Sequence, residues 1–123
     1  MKQPFIEIEL PSGSCMLAKK KMMQEIGSFD PNTFLYFEEN ILYKKILKTG
    51  KRNYLVPSLI CVHLGASSTK KSKNSFVMTR GLNSAVYYLK EYCNLNILQK
   101  ILLPFAIFSF LIRIKLIKIF QEK

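Results

Sequence analysis

The sequence predicts an α/β domain that is followed by an amphipathic helical tail. Residues 5–10 alternate apolar and polar side chains, which is the period of a β-strand. Residues 38–49 carry apolar side chains at the spacing of one helix face, and Gly50 ends that pattern. From residue 97 to residue 120 the chain becomes a nearly continuous apolar run with a few cations. Strand and helix patterns therefore precede a tail of different character.

Further elements are expected between these landmarks. Residues 14–18 are short and apolar and predict a second, more buried strand. Residues 19–26 predict a short helix, with Gly27 at a left-handed C-cap position. A strand pair is predicted around Pro57, and residues 75–92 have helical spacing although Gly81 interrupts the pattern.

The composition predicts one domain with a strongly positive surface. The chain has 123 residues, and 19 basic against 8 acidic residues give a net charge of +11. Such an excess favours a polyanionic partner or an anionic membrane surface. A nucleic-acid-binding role is disfavoured, because no known nucleic-acid-binding motif appears and the cations do not interleave with exposed aromatic residues.

The cysteines and the N-terminus indicate an intracellular setting. Cys15, Cys61 and Cys93 lie far apart in the chain, without a CxxC motif and with one histidine. This pattern fits reduced thiols better than a disulfide framework or a zinc site. Glu7 and Glu9 stand where a signal peptide needs an apolar run, so no export signal is expected.

The stretch of residues 11–39 is the candidate centre of the molecule. It begins with a turn of small residues, Pro11-Ser12-Gly13-Ser14, and ends with four large apolar residues followed by Glu38 and Glu39. Carboxylates resist burial whereas the apolar side chains before them favour it, so we expect this pair at the lip of a pocket. The structural alternative is a helix N-terminus whose acids complement the helix dipole.

The tail, residues 94–123, predicts association with a membrane. Its uninterrupted apolar part, residues 101–112, is shorter than the roughly 20 residues that span a bilayer. An interfacial or re-entrant segment with a kink at Pro104 is therefore expected, with Arg113, Lys115 and Lys118 reaching anionic lipid. The alternative is a helix that packs in a core or a dimer.

Several short pieces, in the same order, resemble the family-2 glycosyltransferases of the rhamnosyltransferase-like and capsular-polysaccharide type. The resemblance covers residues 12–68 and corresponds to the C-terminal part of the family's catalytic domain. The pieces are Gly13-Ser14-Cys15-Met16, IGSFD at 26–30, TFLYFEE at 33–39, Leu42, Lys45, TGK at 49–51, VPS at 56–58 and VHLGASS at 62–68.

This resemblance implies the C-terminal, acceptor-binding half of a GT-A fold. It implies that Glu39, or its neighbour Glu38, is the catalytic base that deprotonates the acceptor hydroxyl in an inverting displacement. By the same resemblance His63 approaches a divalent metal, Mg²⁺ or Mn²⁺, or the donor diphosphate. Ser67, Ser68 and Lys70 belong to a loop that is expected to close over the diphosphate; the alternatives are a strand-end histidine and a plain surface loop.

The sequence also departs from the family pattern. Glu39 replaces the usual Asp, Ile41 replaces a second Asp, and Lys45 replaces an Arg. The family's nucleotide-binding first half and its DxD motif have no counterpart, since Asp30 is the only aspartate. We therefore expect a fragment, with residues 1–93 as a partial GT-A domain and residues 94–123 as the membrane segment, that binds no cofactor tightly.

The predicted function is that of a glycosyltransferase fragment at the cytoplasmic face of the cell membrane. In the complete enzyme, a sugar would pass from a nucleotide-sugar donor to a growing cell-surface polysaccharide or a lipid-linked acceptor. The fragment alone is expected to be inactive, with a separate N-terminal half as a possible partner. The alternative is a non-catalytic, membrane-peripheral partner of a polysaccharide-assembly enzyme.

Overall fold

The structure, a computed structural model, describes residues 4–63 and 74–121. Its elements in chain order are β1 (Ile6–Ile8), α1 (Lys20–Glu25), α2 (Glu38–Lys48), β2 (Asn53–Leu55), α3 (Asn74–Tyr92) and α4 (Ile97–Gln121). They belong to two compact units. The first unit comprises Met1–Pro31 and Glu38–Gly65, and the second comprises Asn32–Phe37 and Ala66–Lys123.

The first unit contains a two-stranded antiparallel sheet. β1 and β2 pair in the register Ile6 with Leu55 and Ile8 with Asn53. Two side-chain contacts support this register: the Asn53 amide donates to the Glu9 carbonyl at 2.9 Å, and the Arg52 Nε lies 3.2 Å from a Glu7 carboxylate oxygen. The strands predicted at residues 5–10 and 54–56 are confirmed in part, since each is three residues long.

Two predicted strands are wrong. Residues 14–18 and 59–63 are extended or turn-like but join no sheet in the described part of the chain. Most of their apolar side chains lie in solvent: Leu17 is fully exposed and Ile60 is 92% exposed, whereas Met16 is half-buried. A strand exists only where a second strand accepts its backbone hydrogen bonds, and apolar composition alone does not supply that partner.

The two helices of the first unit follow the sequence pattern. α2 buries Ile41, Leu42 and Ile46, the apolar positions that the helical period identifies. Leu42 and Ile46 form a small core with Ile26, and three methionines, Met16, Met22 and Met23, pack against it. The predicted helices at 19–26 and 38–49 are thus confirmed to within about two residues, the usual uncertainty of helix ends.

A lysine fixes the end of α1 against α2. Gly27 has a φ of 73° and Ser28 a φ of 52°, so the chain leaves α1 through two left-handed residues. The Lys45 ammonium donates to the Ser28 carbonyl at 2.9 Å and to the Gly27 carbonyl at 3.4 Å. A cation is favourable there because the C-terminal carbonyls of a helix carry partial negative charge. The left-handed role predicted for Gly27 is confirmed.

In the second unit, α3 is one unbroken helix, as its spacing predicts. Gly81, which weakens that prediction from sequence, has a packing role. A Cβ at Gly81 would lie 3.0 Å from a ring carbon of Tyr36. The absence of a side chain at Gly81 therefore allows the Tyr36 ring to pack directly on the helix. This packing offsets the intrinsic cost of a glycine inside a helix, which is about 1 kcal/mol.

α4 packs on α3 through one stripe and exposes the rest of its apolar surface. A reciprocal capping box begins the helix: Asn96 accepts from the Gln99 amide at 2.8 Å, and the Gln99 side chain accepts from the Asn96 amide at 2.9 Å. The more buried side chains recur every three to four residues, at Leu103, Ile107, Phe110, Ile114 and Ile117. Phe105, Phe108, Leu111 and Leu116 are among the exposed ones.

The helix α4 is longer than the uninterrupted apolar part of the tail, residues 101–112, on which the predicted failure to span a bilayer depends. The helix continues through Pro104. By length and composition, Ile97–Ile119 is long and apolar enough to cross a membrane, and 6% of its most apolar window is buried within the protein. The argument that the apolar part is too short to span a bilayer therefore does not hold for this helix. An interfacial position stays a prediction.

Candidate functional site

The structure brings the two ends of the 11–39 stretch together at Gly13 and Glu39. Glu38 and Glu39 begin α2, as predicted, and both side chains are half-buried. A Cβ on Gly13 would overlap the Glu39 carboxylate at Oε1 and lie 3.1 Å from its carboxyl carbon. The Glu39 carboxylate thus lies directly on the Gly13 backbone, an approach that only a glycine permits.

The turn beneath Glu39 is held by its own serines. The Ser12 and Ser14 hydroxyls are 2.7 Å apart, and the Ser14 amide donates to the Ser12 hydroxyl at 3.3 Å. The Cys15 amide closes the turn onto the Ser12 carbonyl at 3.4 Å. Both serines are exposed, so the site presents a carboxylate above a solvent-accessible turn of small polar residues. A carboxylate in this setting is able to accept a proton from a hydroxyl that enters from solvent.

The aromatic run before the two acids is anchored in the second unit. The Asn32 amide donates to the Tyr87 hydroxyl at 3.1 Å. The Arg80 guanidinium lies 5.2 Å above the ring of Phe34 and 5.3 Å above that of Phe76. These distances are typical of cation–π contacts. The segment is therefore attached to α3 at its beginning by a hydrogen bond and a cation between two rings.

The end of this run is strained. Tyr36 and Phe37 have φ values of 65° and 70°, a left-handed conformation that bulky side chains rarely adopt. Their rings rest on α3, Tyr36 over Gly81 and Phe37 at 5.4 Å from Tyr88. Each such residue costs on the order of 1–3 kcal/mol, which the packing of the ring must offset. The sequence does not reveal this feature, because neither residue type favours that conformation.

A groove of about 830 Å³ lies between the C-terminal end of α3 and the N-terminal half of α4, and neither Glu38 nor Glu39 lines it. The pocket expected beside these two acids stays a prediction. Lys90 and Lys100 stand at this groove, and Leu103 and Ile107 contribute to its apolar wall. Sequence reasoning missed the groove because it depends on how two helices pack.

The predicted metal and diphosphate groups are not gathered into one site. His63 is exposed. Within residues 4–63 and 74–121, no three His, Cys, Asp or Glu side chains lie close enough together to hold a metal ion. Ser67, Ser68 and Lys70 lie outside the described residues. The described side chains do not fit a metal centre by themselves, so the metal role of His63 stays a prediction for a complete enzyme.

The cations assigned to a membrane surface are solvent-accessible. Arg113, Lys115 and Lys118 are all exposed on the C-terminal half of α4. Their exposure satisfies the geometric condition for contact with anionic headgroups, and the contact itself stays a prediction.

Two cysteines that are distant in sequence meet in the first unit. The Cys61 thiol donates a hydrogen bond to the Cys15 sulfur, which stabilises the protonated form and raises the pKa of Cys61, and both residues are exposed free thiols. Cys93, in the second unit, is also free and is half-buried. The expectation of reduced thiols stays a prediction, and the proximity of Cys15 and Cys61 had no signal in the sequence.

Comparison with known proteins identifies glycosyltransferase relatives. The chain is 29% identical over 76 residues to an N-acetylglucosaminyl-diphospho-decaprenol L-rhamnosyltransferase of Mycobacterium tuberculosis, in strains CDC 1551 / Oshkosh and ATCC 25618 / H37Rv. The match covers 62% of this chain, and the chain spans about a quarter of the length of these relatives. No protein-family model matches the chain, and no solved structure matches it. The similarity supports a distant, glycosyltransferase-like relationship.

Proposed function

We propose that this chain is the acceptor-side part of a family-2 glycosyltransferase with a GT-A fold. In this proposal it acts at the cytoplasmic face of a membrane on a lipid-linked or polysaccharide acceptor. The observation that carries the proposal is the Glu39 carboxylate seated on Gly13, at the first turn of α2. The similarity to an N-acetylglucosaminyl-diphospho-decaprenol L-rhamnosyltransferase supports a glycosyltransferase-like function, and the role of this carboxylate as the base belongs to the proposal.

The proposed mechanism is an inverting displacement in which Glu39 is the base. Its carboxylate takes the proton of the acceptor hydroxyl while that oxygen attacks the anomeric carbon of the donor sugar. The bond from that carbon to the nucleoside diphosphate breaks, and the diphosphate leaves with the electron pair. A base must lie within hydrogen-bond reach of the proton it takes. The contact of the Glu39 carboxylate with Gly13 would therefore determine where the acceptor hydroxyl oxygen has to lie.

The nucleotide-sugar site is proposed to lie on polypeptide outside this chain. The matched region is about a quarter of the relatives, and the described residues contain no cluster that would hold a metal ion. Activity is therefore expected from this chain together with an N-terminal nucleotide-binding part. That part would supply donor binding, and a divalent metal held there would supply positive charge for the diphosphate.

Membrane attachment through α4 is supported by its exposed apolar surface. A soluble monomer rarely leaves so many large apolar side chains in water, and those of α4 are accompanied by Arg113, Lys115 and Lys118. The same observation favours the second candidate function, a membrane-peripheral partner without catalysis. The two candidates differ in whether Glu39 is needed for sugar transfer.

The decisive experiment is the substitution Glu39→Gln in the chain reconstituted with a nucleotide-binding part. Transfer of labelled sugar from a panel of nucleotide-sugars, including activated rhamnose, to a prenyl-diphosphate-linked acceptor is measured. We expect Glu39→Gln to reduce turnover by about 10²-fold or more, because general-base catalysis contributes that much, and to leave donor binding unchanged. Glu9→Gln, at an exposed glutamate near β1, is the matched control. Equal turnover of wild type and Glu39→Gln would favour the partner function.

A further inference from the structure

The groove in the second unit combines cations with an apolar wall. It lies where the end of α3 meets the first half of α4 and encloses about 830 Å³. Its lining includes Lys90, Cys93, Lys100, Leu103, Ile107 and Leu111. This volume is in the range of small-molecule sites in proteins, which are commonly apolar with a few polar groups that fix orientation.

The charge of the groove is concentrated at one end. Lys90 is in the last turn of α3 and Lys100 in the first turn of α4, and both are exposed. No acidic side chain lines the groove. The N-terminus of α4, closed by the Asn96–Gln99 capping box, adds the partial positive charge of a helix dipole. This end is suited to an anion with more than one phosphate.

The apolar wall leads away from the cations along α4. Leu103, Ile107 and Leu111 are four residues apart, one per helical turn, and follow the axis for about 12 Å. Phe108 lines the groove as well and is 66% exposed, so the wall continues onto the open apolar surface of the helix. An amphiphile with an anionic head would therefore lie with its head at the lysines and its tail along α4.

We propose that this groove binds the diphosphate and the first isoprene units of a prenyl-diphosphate lipid, the carrier of a lipid-linked acceptor. The inference rests on the proposed function, since it names the acceptor class and gives it a binding site. A diphosphate would accept hydrogen bonds from the ammonium groups of Lys90 and Lys100. An isoprenoid chain would make apolar contacts with the wall of leucine and isoleucine side chains. A plain anionic membrane lipid, a free phosphate and a second copy of the chain are the competing occupants.

Native Cys93 reports on the groove. It lines the groove and is a free thiol, whereas Cys15 and Cys61 belong to the first unit and serve as internal controls. The full chain in a zwitterionic detergent is reacted with a maleimide, and the rate at each cysteine is measured by peptide mass spectrometry. The probes are farnesyl diphosphate, farnesol, inorganic pyrophosphate and phosphatidylglycerol.

Farnesyl diphosphate is expected to slow the alkylation of Cys93 in a saturable manner and to leave Cys15 and Cys61 unchanged. Lys90→Gln and Lys100→Gln should each weaken this protection by about tenfold, the usual loss for a charge-assisted hydrogen bond. Lys48→Gln, at an exposed lysine of α2 in the first unit, should not alter it.

Four results would overturn the proposal. Protection by farnesol as strong as by the diphosphate would reduce the groove to an apolar cavity, and protection by pyrophosphate alone would make it a free-phosphate site. Equal protection by phosphatidylglycerol would indicate a general anionic-lipid surface, and no protection would leave the groove without this ligand. The measurement needs no sugar transfer. Intact protection of Cys93, together with no transfer activity after reconstitution with a nucleotide-binding part, would therefore refute the enzymatic function and keep the site.

Discussion

Replacing Gly13 with alanine tests whether Glu39 is held where the structure places it. The new methyl group would overlap Oε1 of Glu39, so the carboxylate has to move. The clash involves the far end of a flexible side chain, and a rotation out of its preferred rotamer costs of order 0.5–1.5 kcal/mol. The expected loss of stability is therefore small, about 1 kcal/mol.

The effect on catalysis should exceed the effect on stability. A displacement of about 1 Å at a reacting group can cost on the order of 10²-fold in rate. Gly13→Ala in the reconstituted enzyme should thus reduce turnover by roughly that factor while donor binding stays intact. Leu17→Ala, at a fully exposed side chain outside this turn, is the control.

A double-mutant cycle isolates the contact without any activity assay. Gly13→Ala is made in the natural chain and in a Glu39→Ala background, and thermal unfolding is followed by circular dichroism. With Glu39 present we expect a Tm lower by about 4 °C. Without the Glu39 side chain, the substitution should be neutral or stabilising by about 0.4–1 kcal/mol, because alanine restricts the unfolded chain and Gly13 does not have a left-handed φ. An equal Tm loss in both backgrounds would refute the contact.

Two further predictions concern the first unit. Lys45→Met should lower the free energy of unfolding by about 0.5–1.5 kcal/mol, because the Gly27 and Ser28 carbonyls lose their donor; urea unfolding with Lys44→Met as control measures this, and an equal loss in the control would contradict it. Cys15→Ala should lower the pKa of the Cys61 thiol, since its hydrogen bond to Cys15 raises that pKa. The thiolate is the reactive form, so the pH at which the alkylation rate of Cys61 begins to increase should shift to a lower value. An unchanged pH–rate profile would exclude the thiol contact.

The helices of this protein are encoded locally and were predictable. The apolar spacing of residues 38–49, with acids first and lysines last, predicts α2, and the burial of Ile41, Leu42 and Ile46 confirms it. Gly27 marks the end of α1 in the same manner, through a left-handed conformation that the sequence predicts directly. Such features depend on residues three or four positions apart, so a single sequence contains enough information for them.

The strands were less predictable because their partners are distant in sequence. Residues 5–10 and 59–63 have equally strand-like composition, yet only the former contributes a strand, β1, which pairs with β2. Residues 59–63 remain exposed in the described part of the chain. Composition measures how well side chains suit a pleated surface and carries no information about which backbone will accept the hydrogen bonds.

The sequence by itself determined the residue types of the candidate site: two acids after an aromatic run, a turn of small residues, and a basic apolar tail. Tertiary structure alone decided that Glu39 rests on Gly13, that Cys15 meets Cys61, and that Lys90 and Lys100 share a groove. These pairs join different segments of the chain, so their contact depends on how those segments pack. Packing depends on the shape and volume of many side chains together, whereas a pattern along the chain records only their order.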